Sequence, residues 1–152
     1  MKKVIEIKNL VKKYGNFTAV KDVSFDVFQG EIFGLLGENG AGKTTTLEII
    51  EGLRKPTSGT VKILGHDVCK DMKSVKEKIG VQLQSSAYYN FLSLKEILEL
   101  FGGFYNKRIN ADTLLEMVDL QEKANQLIGH LSGGQKQRFS IVASLVNDPE
   151  IV

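Results

Sequence analysis

Gly37-Glu38-Asn39-Gly40-Ala41-Gly42-Lys43-Thr44 decides how this chain is to be read. It matches G-x-x-x-x-G-K-[ST] and follows an apolar run, Ile32-Phe33-Gly34-Leu35-Leu36. Such a run, bounded by turn residues, predicts a strand buried on both faces of a parallel sheet. Behind the turn, residues 43–51 predict a helix with Gly52 at its C-terminal end. In this context glycines let the backbone curl so that successive N–H groups face one concavity, and the helix adds its positive dipole end. Gly37, Asn39, Gly40 and Gly42 therefore outline a phosphate cradle. Lys43 is expected to reach the β- and γ-phosphates of a nucleotide. The Thr44 hydroxyl is a hard oxygen for Mg²⁺, and Thr45 is placed for the α-phosphate.

Upstream, Ile5 and Ile7 alternate with Glu6 and Lys8, and Val23, Phe25 and Val27 alternate with Ser24 and Asp26. These stretches predict two half-buried antiparallel strands, with turns at Tyr14-Gly15-Asn16 and Gln29-Gly30. Downstream, Pro56-Thr57-Ser58-Gly59 marks a turn, residues 60–64 a strand, Gly65-His66-Asp67 another turn, and residues 79–83 a further strand. The character then becomes helical. Ser93-Leu94-Lys95-Glu96 reads as a capping box, and residues 111–120 carry Leu114, Leu115, Val118 and Leu120 at helical spacing. The expected division is a β-rich part at 1–84 with the phosphate loop and a helical part at 85–152.

The 152 residues are 42% hydrophobic and 25% charged, with a formal net charge of +2. That balance gives no argument for nucleic acid as a partner. A single cysteine, Cys69, excludes an internal disulfide and fits a reducing compartment. No stretch approaches the roughly 18 apolar residues of a membrane span. The expectation is a cytoplasmic chain whose membrane connection, if any, runs through a partner.

A second motif, Leu131-Ser132-Gly133-Gly134-Gln135, precedes Lys136-Gln137-Arg138. By itself it reads as a well-capped helix, Ser132 and Gln135 forming the box, from about 135 to 146. Two glycines there permit close approach, and the helix start is again an anion site. Together with the phosphate loop, these residues resemble the ATP-binding cassette family over essentially the whole chain. The resemblance implies an α/β P-loop NTPase fold with an antiparallel β subdomain, a partial RecA-like parallel core and a helical subdomain. It implies that Tyr14 stacks on adenine and that Gln84 senses Mg²⁺ and the attacking water; Gln82 competes for that role.

By the same resemblance, Ser132, Gly133, Gly134 and Gln135 would contact ATP held by a second ATPase subunit, two ATPs being sandwiched head to tail. Residues 85–105, with Tyr88, Tyr89, Phe91, Phe101, Phe104 and Tyr105, would face an integral membrane subunit or form the core of the helical part. The resemblance points to a transporter ATPase peripheral at the cytoplasmic face of the membrane. The helix end at 48–53 and the 60–67 hairpin resemble the exporter branch. Two other readings are a soluble family ATPase acting on ribosomes or DNA, and a nucleotide-binding fragment without turnover. The family's pattern runs on past Asp148-Pro149-Glu150 into a strand ending in two acidic residues, so no catalytic acid is assigned here. The chain is expected to be a front part of the domain, with a frayed or self-associated sheet edge and poor hydrolysis alone.

Overall fold

The computed structural model describes residues 1–82 and 88–152, which form two compact units, Met1–Lys76 and Glu77–Val152.

The first unit is built on a long hairpin of β1 (Lys3–Tyr14) and β2 (Phe17–Phe28), joined by Gly15 and Asn16 with Gly15 at φ 55°. β3 (Ser58–Ile63) pairs with β1 and β4 (His66–Asp67) with β3, so the sheet is antiparallel in the order β2-β1-β3-β4. The residues β1 buries are Val4, Ile7 and Leu10, three apart rather than two. Bulges explain the spacing: the β1–β2 register shifts between Lys3 and Ile5 and again between Ile7 and Leu10. Each extra residue inverts the in–out parity of a strand. At the second shift Asn9 and Asp22 both take left-handed backbone (φ 49° and 51°), and Asn9 Nδ2 donates to Asp22 Oδ1 at 2.9 Å. Asn and Asp tolerate that conformation best among residues with a Cβ.

After β2 the chain runs through the phosphate loop into α1 (Lys43–Ile50), which buries Thr46 and Ile49. Glu51 caps it and Gly52 follows at φ 70°. β3 and β4 are joined by Leu64 and Gly65, both at positive φ, so β3 ends one residue before the expected limit. Asp71 precedes the short α2 (Met72–Lys76), and its carboxylate accepts from the Ser74 N–H. The Ser74 bonds first, then His66 (Nδ1 to Oδ2, 2.8 Å), hold the Asp71 pKa below its ordinary value. His66 thus serves a turn, as a structural residue.

Two expected turns are partly strand here, Ser58 and Gly59 opening β3 and His66 and Asp67 forming β4, and the expected buried strand is missing. Residues 32–36 form no strand, and Ile32 and Leu36 are 102% and 91% exposed. An apolar run is buried only when strands flank it, and among the described residues none pairs with this one. Phe33 does find a partner, stacking on Phe25 with ring centroids 4.9 Å apart.

The second unit is a helical cluster. α3 (Leu94–Phe104) starts at Ser93 with the predicted capping box: Ser93 N–H and Oγ both reach Glu96 Oε2, at 2.8 and 2.7 Å. Those bonds hold the Glu96 pKa below its usual range. α4 (Ala111–Glu116) is capped by Asn110 and ends earlier than its apolar spacing suggested, with Asp119 at positive φ turning the chain. α5 (Gly133–Ala143) completes the cluster. Leu94, Ile97, Leu98, Leu115, Ile128 and Phe139 are at its heart. Tyr88 packs edge-on against Phe139 and Phe101 joins the same core, while Tyr89, Phe91, Phe104 and Tyr105 stay exposed.

The expected strand at 79–83 is reduced to one parallel bridge, Ile79 to Ile151, with Leu83 outside the described residues. Gly80 is confined there: a Cβ would lie 2.3 Å from the Ser144 carbonyl oxygen. Buried Asn147 donates to the Glu77 and Ile79 carbonyls at 3.3 and 3.0 Å, clamping this stretch to the end of the cluster. Among the described residues no helix is long and apolar enough to cross a membrane.

Candidate nucleotide site

The phosphate loop owes its shape to its glycines and its lysine. Gly40 and Gly42 sit at φ 84° and 85°, conformations costly to a residue with a Cβ. Gly42 has a second constraint: a Cβ there would meet the Ala19 carbonyl oxygen at 2.3 Å. The loop is thereby pressed against β2, and Gly42 becomes the N-cap of α1.

The first helical hydrogen bond runs from Thr46 N–H to the Gly42 carbonyl at 2.8 Å, doubled by Thr46 Oγ1 at 2.9 Å. The earlier amides of a helix have no intrahelical acceptor, so those of Lys43, Thr44 and Thr45 are available to an anion. No acidic side chain occupies the first turn. Thr44 is exposed and Thr45 half-buried.

Lys43 folds back over the loop. Its Nζ donates to the Gly37 and Glu38 carbonyl oxygens, at 2.7 Å each. An ammonium group has three N–H donors, so two are spent on the loop and the third is left for a phosphate oxygen. The charge is pre-placed by the loop itself.

Tyr14, at the end of β1, lies in the same unit and is 41% exposed. Two cations lie over its ring: Lys12 Nζ at 5.0 Å from the centroid and Arg54 Cζ at 5.8 Å. Both are within cation–π range. Arg54 is in turn paired with Glu48 of α1 through Nε and Nη2. The reading of the sequence missed Glu48, Lys12 and Arg54 here. The available signal was Glu48 and Arg54 on either side of the Gly52 helix stop.

In the second unit, Ser132 and Gln135 form the predicted reciprocal box. Ser132 Oγ accepts from the Gln135 N–H at 3.3 Å, and Gln135 Oε1 accepts from the Ser132 N–H at 3.0 Å. The helix starts at Gly133, earlier than expected, so both glycines stand in its first turn. Neither has positive φ, and a Cβ on either would meet nothing within 4 Å. Among the described residues nothing requires glycine there. Gly134→Ala is therefore expected to raise stability, by up to about 1 kcal/mol, read as a higher urea midpoint. Gln82 Nε2 donates to Ser140 Oγ at 2.9 Å, and Gln84 lies outside the described residues.

The family described as "ABC transporter" matches residues 20–152. The chain belongs to the ABC transporter family. The Nod factor export ATP-binding protein I of Burkholderia lata is 37% identical over 153 residues, covering 97% of this chain and 50% of that protein. The bacitracin transport ATP-binding protein BcrA of Bacillus licheniformis is 37% identical over 154 residues, covering 100% and 50%. The linearmycin resistance ATP-binding protein LnrL of Bacillus subtilis is 39% identical, covering 98% and 50%.

Among solved structures, an ATP-binding subunit of an ABC transporter superposes with a TM-score of 0.85 at 30% identity, over 96% of this chain and 63% of that one. A dimeric ATP-binding cassette in a post-hydrolysis state, bound to ADP and phosphate, superposes with a TM-score of 0.81 at 32% identity, over 95% and 70%. This ABC transporter chain therefore has the P-loop α/β fold of the family and spans about half the length of the curated relatives it matches.

Proposed function

We propose that this chain is the nucleotide-binding part of an ABC transporter ATPase subunit, which holds ATP-Mg²⁺ on the phosphate loop and couples its hydrolysis to export across a membrane. The observation carrying this reading is the Lys43 ammonium held at 2.7 Å from two loop carbonyls, over a helix start with no acid in its first turn. Gly37, Asn39, Gly40 and Gly42 cradle the phosphates through backbone N–H groups, and Lys43 adds the point charge. Thr45 takes the α-phosphate, and Tyr14 stacks on the base. Thr44 and Gln84 are the residues proposed to hold Mg²⁺, which when bound neutralises the charge on the β- and γ-phosphates. The test is calorimetric titration of the chain with ATP, with and without Mg²⁺; a failure to bind under either condition would refute it.

The two open glycines of α5 favour a site shared between copies. Residues 132–135 offer a capped helix start and no Cβ at two positions, which suits close approach to the γ-phosphate of ATP on a second subunit, head to tail. Gly134→Ala, although stabilising, is then expected to abolish ATP-dependent pairing in analytical ultracentrifugation. Pairing as strong as that of the parent chain would sink the composite-site reading. Exposed Tyr89, Phe91, Phe104 and Tyr105 are proposed as the surface for the membrane subunit, on the cytoplasmic side. Export is favoured because the relatives are named for export, transport and resistance.

A further inference from the structure

We infer that Arg54, held by Glu48, is a positioning residue for Tyr14: it fixes the ring against which the base packs and so sets the base's share of nucleotide affinity. The inference rests on the reading of Tyr14 given under the proposed function. Arg54 is tightly held. Beyond α1 the chain reverses at Gly52, and the Leu53 and Arg54 amides both donate to the Glu48 carbonyl, at 2.8 and 3.0 Å. The Arg54 guanidinium then returns to the carboxylate of the same Glu48 with two N–H groups. Arg54 is thus anchored to one residue by backbone and by side chain. The Glu48 bond and charge, and secondarily Tyr14, raise the guanidinium pKa above its ordinary value.

Lys12, the second cation over the ring, is fixed as well. Lys12 Nζ donates to the Lys55 carbonyl at 2.8 Å, the Thr57 N–H to the Val11 carbonyl at 2.8 Å, and the Lys13 N–H to Thr57 Oγ1 at 2.9 Å. The end of β1 is therefore stitched to residues 55–57, immediately after Arg54. Tyr14 closes β1 beside this seam, with Lys12 of its own strand and Arg54 both over its ring.

An exposed tyrosine samples several rotamers, and stacking a base on it costs that freedom. Cations attracted to the ring quadrupole restrict it before the ligand arrives. Because Glu48 lies on the helix that begins at the phosphate loop, the same ion pair also ties the base platform to the phosphate cradle.

The consequence is a base-specific effect. Inorganic tripolyphosphate carries the phosphates of ATP and no base, so it reports the cradle alone. With Mg²⁺ present, Arg54→Ala is expected to weaken ATP about three- to tenfold and to leave tripolyphosphate unchanged. Glu48→Gln should act in the same direction, and serves if Arg54→Ala unfolds in urea too readily to assay. In a Tyr14→Ala background, removing Arg54 should have no further effect.

Equal weakening of both ligands would overturn the inference, as would an Arg54→Ala effect that persists without Tyr14. If Tyr14→Ala weakens ATP but neither Arg54→Ala nor Glu48→Gln does, the positioning role alone falls. If Tyr14→Ala leaves ATP affinity unchanged, the stacking role itself is wrong and the inference falls with it.

Discussion

Replacing Lys43 by alanine is expected to weaken ATP binding at least about 30-fold, the equivalent of about 2 kcal/mol for one hydrogen bond to a charged group. One Lys43 donor is aimed at phosphate, the other two being held by the loop. The variant also leaves the Gly37 and Glu38 carbonyls without their shared ammonium, so the loop loses its tie as well as its charge. Arginine should rescue little, since a planar fork cannot replace three tetrahedral donors between two carbonyls and a phosphate. Calorimetric titration of both variants checks this, beside urea unfolding of each. Binding of ATP by Lys43→Ala at parent affinity would remove the basis for the proposed function.

The second large effect is expected at Gly42. Alanine there takes on left-handed backbone and puts its Cβ against the Ala19 carbonyl, a backbone atom fixed in the β1–β2 sheet. The combined cost is about 3 kcal/mol, and the loop must leave β2 for the variant to fold at all. Gly40→Ala makes the informative comparison. It has the same positive φ but nothing within 4 Å, so it should cost only about 1–2 kcal/mol. Urea midpoints should rank parent, Gly40→Ala, Gly42→Ala, and ATP affinity should fall in the same order. Equal stabilities for the two variants would show that contact with Ala19 does not shape the loop.

These effects were unevenly legible in the sequence. The starts of α1 and α3, and the cap of α5 though not its first residue, could be read because a helix start is a local event. Ser93 with Glu96, and Ser132 with Gln135, carry both halves of their hydrogen-bonded box within four residues. Strand parity was less legible. Alternation at 5–8 predicts period two, whereas β1 buries Val4, Ile7 and Leu10 because of two register shifts, the second of them marked by an Asn9–Asp22 pairing that spans two strands. The run at 32–36 misled for a related reason: apolar residues state a preference for burial without supplying the neighbours that provide it. At the candidate site, Lys43 was evident from its motif, while Arg54 was hidden. Its distance to Tyr14 is set by a helix, a glycine turn and an ion pair, none of which appears as spacing.

The bare apolar run at 32–36 also determines how this polypeptide behaves in concentrated solution. These five consecutive residues carry no charge or proline and are open to solvent at Ile32 and Leu36, so they form an uncovered apolar segment of the kind that promotes association. Light scattering should therefore grow with protein concentration and with time. A single lysine at position 36 should act as a gatekeeper and suppress it.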